Sequence, residues 1–141
     1  MSDWNTNLIN DMRAHEGHAT SGPFVGRQVL ILTTTGAKTG ERRESPLAYT
    51  LDGDRIVIVA SKGGADTNPA WYHNLVEHPD VTVELNGKRF DAIASVATGA
   101  ERRRLYDGHV AVHPGFADYE KKTTRVIPVI VLQRKAASAA A

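Results

Sequence analysis

Two dipeptides, Asp52-Gly53 and Asn86-Gly87, each separate two segments that are rich in aliphatic and β-branched residues. Such dipeptides favour the two-residue turns that connect neighbouring antiparallel strands. We therefore predict one antiparallel pair formed by residues 44–51 and 55–61, and a second formed by residues 81–85 and 89–96. Because successive parallel strands need a long crossover between them, usually a helix, this pattern argues against a doubly wound parallel fold.

The other predicted elements follow from the spacing of apolar residues and from capping residues. Segment 27–35 is aliphatic and β-branched, as in a strand buried on both faces, and segment 126–132 is a closing strand that Pro128 places at an edge or a bulge. Helices are predicted over 3–15, from a cap at Asn68 before Pro69 to residue 78, from a capping box at Thr98 to residue 111, and over 115–122. Six strands with peripheral helices predict an α+β fold, built on a small antiparallel barrel.

The length of 141 residues predicts one domain, at roughly 150 residues per domain. We assign it to residues 1–134, with an N-terminal helix and linker over 1–24, and expect the alanine-rich residues 135–141 to form a disordered tail. The sequence shows no signal peptide and no apolar run of transmembrane length, so a cytoplasmic protein is expected. Peripheral contact with the inner face of the membrane stays open.

Composition excludes several classes of function. The chain has no cysteine, which excludes disulfides, thiolate metal sites and cysteine nucleophiles. The net charge of +1 gives no reason to expect a nucleic-acid partner. His15 and His18 flank a glutamate at a spacing that does not fit a zinc-protease helix, so no metal site is predicted.

Two glycine-containing loops could bind anions. Residues 33–43 combine the three consecutive threonines 33–35 with Lys38, Arg43 and two glycines four residues apart, which permits a tight turn with converging N–H groups. An ordinary polar turn between strands accounts for these residues equally well. Residues 60–72 run from a strand through Lys62 to a helix N-terminus, where a partial positive charge favours anions. A flexible loop before a capped helix is the alternative.

In a third segment, Phe116 and Tyr119 either wall a flat substrate or pack on the core.

Taken together, these segments carry a family resemblance. TTTGAKTGERRESPL, IVIVASKGGADTNPAWYHNL, HPDVTVELNG and TTRVIPVIVL, in this order, resemble the deazaflavin-dependent nitroreductases, which use coenzyme F420. The similarity covers roughly residues 25–134. It implies a split β-barrel related to the FMN-binding oxidoreductases.

The resemblance also implies which residues contact the coenzyme. Three residues, Lys38, Thr39 and Arg43, match positions that hold its phosphate and glutamate tail, and Ala37 is a further contact. Contacts continue along Ser45, Pro46, Leu47 and Ala48. Ala60, Ser61 and Lys62 match positions beside the deazaflavin ring, and Ala70, Trp71, Tyr72, His73 and Asn74 match the helix that closes over it.

The implied reaction is hydride transfer from reduced F420 to an electron-poor acceptor, which is a quinone, an activated alkene or a nitro compound. His113, Phe116 and Tyr119 are the expected substrate contacts, and Tyr119 is the expected catalytic residue as a proton donor. Nitroimidazole-activating members have tyrosines in this segment, and two of those three hydroxyl positions are absent here. An FMN-dependent reductase and a non-catalytic deazaflavin-binding protein are the alternatives. The protein is expected to be a monomer or a homodimer.

Overall fold

A computed structural model describes residues 3–22 and 24–135. The helices are α1 (Asp3–Ala14), α2 (Ala70–Glu77), α3 (Gly99–Val112) and α4 (Phe116–Lys121), and a short 3-10 turn spans Lys62–Gly64. The strands are β1 (Val29–Thr35), β2 (Arg42–Ala48), β3 (Thr50–Asp52), β4 (Arg55–Val59), β5 (Asp80–Leu85), β6 (Lys88–Ala97) and β7 (Val129–Arg134). None of the helices in these ranges has the length and apolar content needed to cross a bilayer.

The seven strands form one sheet in the order β2-β1-β5-β6-β7-β4-β3, and every neighbouring pair is antiparallel. The two edge strands, β2 and β3, are consecutive in the chain and are separated by Tyr49 alone. The sheet must therefore curl until its edges meet, which produces a half-barrel. This arrangement confirms the predicted α+β class and the antiparallel split barrel.

Two strand predictions are corrected. The single strand predicted over 44–51 is two strands, because Tyr49 leaves the ladder and its N–H donates to the Gln28 carbonyl at 3.1 Å. The sheet consequently has seven strands instead of six. Pro128 marks neither an edge nor a bulge, since β7 begins one residue later and lies between β6 and β4. Its carbonyl accepts a hydrogen bond from Ala60 N at 2.9 Å, so Pro128 still contacts the chain that follows β4.

The predicted helix caps are also corrected. Pro69 occupies the N-cap position of α2, and the Asn68 side chain instead accepts a hydrogen bond from Arg125. Thr98 is the N-cap residue of α3 as predicted, but its side chain makes no capping hydrogen bond. The helix positions therefore agree with the sequence pattern, whereas the capping contacts do not.

Both faces of the curled sheet are buried. Inside the curl, Leu30, Ile58 and Ile130 pack against Leu75 of α2. On the outer face, the alternating residues of β4 and β7 pack against Leu105 and other residues of α3, while α1 covers β1. The prediction that β1 is buried on both faces is confirmed. Residues 136–141, most of the predicted tail, lie outside the described residues.

Candidate functional site

Two neighbouring cavities share the side chain of Trp71. The first, called the α4 cavity, has a volume of about 440 Å³ and is lined by Phe24, Arg27, Pro46, Leu47, Ala48, Val59, Ser61, Lys62, Pro69, Trp71, His113, Phe116 and Tyr119. The second, called the loop cavity, has a volume of about 540 Å³ and is lined by Gly36, Ala37, Lys38, Thr39, Arg43, Glu44, Ser45, Ala70, Trp71, His73 and Asn74.

The turn between β1 and β2 forms one wall of the loop cavity. The turn is closed by hydrogen bonds from Gly36 N to Glu41 O at 2.7 Å and from Gly40 N to Gly36 O at 2.9 Å. A Cβ atom at Gly36 would lie 2.6 Å from Thr39 Oγ1, so this position requires glycine. The N–H groups of Lys38 and Thr39 have no hydrogen-bond partner in the part of the chain that the structure describes. They are available to a ligand.

Asn74 fastens α2 to this turn. Its side-chain Oδ1 accepts a hydrogen bond from Ala37 N at 2.9 Å, and its Nδ2 donates to Thr34 Oγ1 at 3.2 Å. The side chain is only 8% exposed. Because both ends of the amide are used, α2 and the turn are held together as one wall, with Ala70, Trp71 and His73 on the helix side of the cavity.

The two cationic side chains of the loop cavity are largely uncommitted, whereas its carboxylate, Glu44, pairs with Arg13. Lys38 forms no ion pair with any described residue. Arg43 lies 3.4 Å from Glu41, but both side chains are exposed, so this pair contributes little to stability. Two cations and two backbone N–H groups at one end of the cavity are a donor set suited to phosphate or carboxylate groups.

Aromatic side chains form much of the α4 cavity. Phe116 and Tyr119 of α4 meet edge to face, with ring centroids 5.0 Å apart, and Trp71 lies across from them in the shared wall. The Tyr119 hydroxyl makes no hydrogen bond to any residue within 3–22 or 24–135. Flat apolar rings with few polar groups are the usual lining of a site for a planar organic ligand.

His113 is held rigidly in the wall of the α4 cavity. It is 2% exposed, and its Nε2 lies 2.9 Å from the carbonyl oxygen of Tyr49. Because a carbonyl can only accept, Nε2 carries the hydrogen in this contact, and Nδ1 is the other polar atom of the ring. Behind it, burial lowers the pKa of His109 to about 3, with a further contribution from His113, so His109 is neutral at ordinary pH.

Most of the predicted contacts are brought together. Every predicted coenzyme and substrate residue lines one of the two cavities except Ala60, which is fully buried, and Tyr72, which packs against the inner core. The predicted contacts do not include Phe24, Arg27, Val59 and Pro69, which also line the α4 cavity, or Gly36 and Glu44, which line the loop cavity. Arg27 lies two residues before β1, at the start of the predicted strand segment 27–35, and a cation at a strand end was the available signal.

Comparisons with known proteins agree on one family. The F420H(2)-dependent quinone reductase family matches residues 5–134. A Mycobacterium tuberculosis protein named F420H(2)-dependent quinone reductase is 41% identical over 109 residues, which is 75% of this chain and 73% of that protein.

Solved structures agree in fold. One described as an F420-H2 dependent reductase has a TM-score of 0.70 and 37% identity, covering 76% of this chain and 95% of that one. Another, described as a domain-swapped dimer, has a TM-score of 0.72 and 34% identity, covering 93% and 98% of the two chains. On the extent of these matches, the chain belongs to the F420H(2)-dependent quinone reductase family.

Proposed function

We propose that the two cavities joined at Trp71 bind reduced coenzyme F420 and a quinone next to each other. As a member of its family, the protein is an oxidoreductase that depends on F420 and transfers a hydride to an electron-poor acceptor of the quinone type. The observation that carries the assignment of the site is that two cavities of different chemical character share Trp71 as a lining residue. One ends in donors suited to anionic groups, and the other ends in aromatic rings.

The residues of the loop cavity fit the anionic part of the coenzyme. Lys38 and Arg43 supply charge, and the N–H groups of Lys38 and Thr39 are free to donate. Asn74 keeps the turn in one conformation, so binding does not have to order it. These groups bind the phosphate and the glutamate tail and leave the ring system to lie beside Trp71.

The α4 cavity orients the ring and the acceptor. Bound reduced F420 supplies the hydride. Ser61 and Lys62 contact one side of the ring system, and Trp71 covers the boundary between the two cavities. Phe116 lines the same cavity and would pack against a flat quinone. Holding two reactants at near-attack distance can be worth about 7–11 kcal/mol at the upper limit.

Tyr119 is the proposed proton donor for the acceptor. Reduction of a quinone by one hydride needs one added proton to give the hydroquinone. Tyr119 lines the cavity and its hydroxyl has no competing partner in the described ranges, so it is available to donate to a quinone oxygen. His113 supports the wall, because its ring is fixed by the Tyr49 carbonyl.

Both alternatives to this function are now unnecessary. Proteins of this family use F420, and F420 is sufficient to explain both cavities. FMN is therefore not needed as a cofactor. The relatives are named as reductases, which favours an enzyme over a protein that only stores the coenzyme.

A binding titration tests the site. In a Trp4→Phe background Trp71 is the only tryptophan, and added oxidised F420 should quench its emission with saturation. Lys38→Ala should raise the Kd about tenfold or more, since a hydrogen-bonded charge is typically worth over 1 kcal/mol. Lys88→Ala, an exposed lysine on the β5–β6 hairpin outside both cavities, is the matched control and should leave the Kd unchanged.

A parallel assay follows the oxidation of reduced F420 with menadione as acceptor. Acceptor-dependent oxidation that weakens in Lys38→Ala supports the proposal. Absence of quenching at micromolar F420 would overturn it, and equal weakening in Lys38→Ala and Lys88→Ala would remove the assignment of the loop cavity.

Association with a second copy or with a membrane is a further proposal. A domain-swapped dimer among similar structures favours a homodimer, which light scattering of the purified protein would detect. Val25 is 52% exposed and lies in sequence between Phe24 and Arg27 of the α4 cavity, which favours contact of this edge with a membrane that holds lipid quinones. Co-sedimentation with anionic vesicles, compared with Val25→Asp, tests that contact.

A further inference from the structure

Arg125 lines neither cavity, yet its guanidinium holds the loop that forms one wall of the α4 cavity. Nε and Nη2 donate to Ala65 O at 3.0 and 2.8 Å, Nη1 donates to Ala60 O at 3.1 Å, and Nη2 donates to Ser61 O at 2.8 Å. Nη1 also donates to the side chain of Asn68. One half-buried side chain therefore satisfies acceptors along the whole of segment 60–68.

This segment needs such support because it has little regular structure. It leaves β4 after Val59, forms the 3-10 turn Lys62–Gly64, and reaches α2 at Ala70. Lys62 has a φ of +49°, which is unfavourable for a side-chain-bearing residue, and its Nζ lies 3.2 Å from Thr67 Oγ1. Without the guanidinium, the carbonyls of Ala60 and Ala65 would have to be satisfied by water, and several loop conformations would become accessible.

The same loop rests on the helix that carries the aromatic wall. A Cβ atom at Gly64 would lie 2.9 Å from Lys122 Cβ and 3.0 Å from Tyr119 O, so the loop backbone is in direct contact with the end of α4. Thr123 Oγ1 donates to Asp66 Oδ1 at 2.9 Å and accepts from Arg125 N at 3.1 Å. The loop, the end of α4 and Arg125 therefore form one packed unit.

We propose that Arg125 is a positioning residue for the reductase reaction. It holds Ser61 and Lys62 in place for the coenzyme and, through the contact of the loop with α4, it holds Tyr119 in place for the acceptor. This inference rests on the proposed function of the two cavities. It adds that one residue that lines neither cavity, Arg125, controls the positions of the proposed coenzyme contacts, Ser61 and Lys62, and of the proposed acceptor contact, Tyr119.

The test compares Arg125→Met, Arg125→Lys and Arg55→Met. Methionine keeps the length of the side chain without its donors, and lysine keeps the charge with a single donor group. Arg55 is the control, because it is also partly buried and paired but lies at the other end of β4, bonded to Asp52 and Glu101. The measurements are the Kd for oxidised F420, the KM for menadione at saturating reduced F420, and amide hydrogen exchange of residues 61–68.

Arg125→Met should raise both the Kd and the KM about tenfold or more and should speed exchange of the 61–68 amides. Arg125→Lys should recover part of each effect, and Arg55→Met should change each constant less than twofold. If Arg125→Met fails to fold, Arg125→Lys carries the test with an expected change of about threefold.

Unchanged Kd and KM in a folded Arg125 variant would overturn the proposal, as would equal effects in Arg55→Met. Failure of the unmodified protein to bind F420 would overturn the proposed function instead. Hydrogen exchange in the variants would then still report whether Arg125 holds the loop.

Discussion

At the scale of single residues, the structure uses two buried histidines in different ways. The ring of His113 is anchored by a carbonyl and faces a cavity, whereas His109 is fully buried, with its Nδ1 3.1 Å from Thr50 Oγ1 and its Nε2 without a partner among the described residues. A buried imidazole in contact with a second imidazole is held in its neutral form. His109 therefore makes stability depend on pH.

The free energy of unfolding should fall as the pH drops below about 6.5. The pKa of His109 is about 3 in the folded chain against 6.5 as its ordinary value, so between these values the unfolded chain binds a proton that the folded chain does not. The His109 contribution is present above pH 6.5 and is lost toward pH 3, with a slope of up to about 1.4 kcal/mol per pH unit. Urea unfolding at several pH values measures it.

His109→Gln should flatten that slope, and the exposed His78→Gln should leave it unchanged. Subtracting the curve of each variant from that of the unmodified protein cancels the contribution of the carboxylates that titrate in the same pH range. Identical slopes in the unmodified protein and in His109→Gln would contradict the assignment.

The hydroxyl of Tyr119 gives a second residue-scale prediction. Tyr119→Phe keeps the ring that packs edge to face on Phe116 and removes only the proposed proton donor. We expect kcat with menadione to fall about a hundredfold, at the low end of general-acid effects, with the Kd for oxidised F420 unchanged. Steady-state kinetics beside the Trp71 titration separates the two constants. A twofold or smaller change in kcat would assign the proton to solvent.

At the scale of elements, α2 is the part that connects the fold to the site. Its inner face packs Leu75 into the barrel core, and Asn74, the residue before it, fastens the turn after β1. A helix inside the curl thus sets the position of a loop at the rim. These two hydrogen bonds tie the turn, which is the proposed anion site, to α2.

Asn74→Leu should weaken both stability and coenzyme binding. Leucine has a similar volume but leaves Ala37 N and Thr34 Oγ1 without their partner, at a cost of about 1–3 kcal/mol in the free energy of unfolding. The Kd for oxidised F420 should rise because the turn is no longer fixed. Val76→Ala, at an exposed position on the same helix, should change neither quantity. Loss of stability with an unchanged Kd would show that the turn does not need this support.

At the scale of the whole molecule, the inner and outer clusters share the strands β4 and β7, whose residues alternate between them. Neither cluster can lose its packing while the other keeps its strands. We therefore expect residues 3–135 to unfold in one transition, in agreement with the single domain predicted from length. Calorimetry checks this through equality of the calorimetric and van't Hoff enthalpies.

Ligand binding should stabilise this single transition. Oxidised F420 at a hundred times its Kd should add about 2.7 kcal/mol to the free energy of unfolding, since only the folded chain has both cavities. A thermal melt with and without F420 measures the shift. Two separate transitions, with only one of them moved by the ligand, would contradict both the single domain and the shared core.

Much of the fold was predictable because its signals are local. Three signals each depend on only a few consecutive residues: the Asn86-Gly87 turn, the alternation of β5 and the aliphatic run of β1. All three predicted elements are present in the structure. The break at Tyr49 was not predictable, since residues 44–51 read as one strand and the chain bends there only because the sheet has to close. Pro128 was misplaced for a similar reason, because its neighbours in the sheet come from distant parts of the chain.

By itself, the sequence determined most of the strands, the hairpin turns, the glycine-bearing loops with their cations, and the family to which these motifs belong. The tertiary structure alone decided that the two cavities meet at Trp71, that a carbonyl of Tyr49 orients His113, and that Arg125 holds a loop 60 residues away. The physical reason is that turns and periodicity depend on neighbouring residues, whereas these contacts join residues far apart in the chain. Only the curling of the sheet brings these distant residues within hydrogen-bond distance of each other.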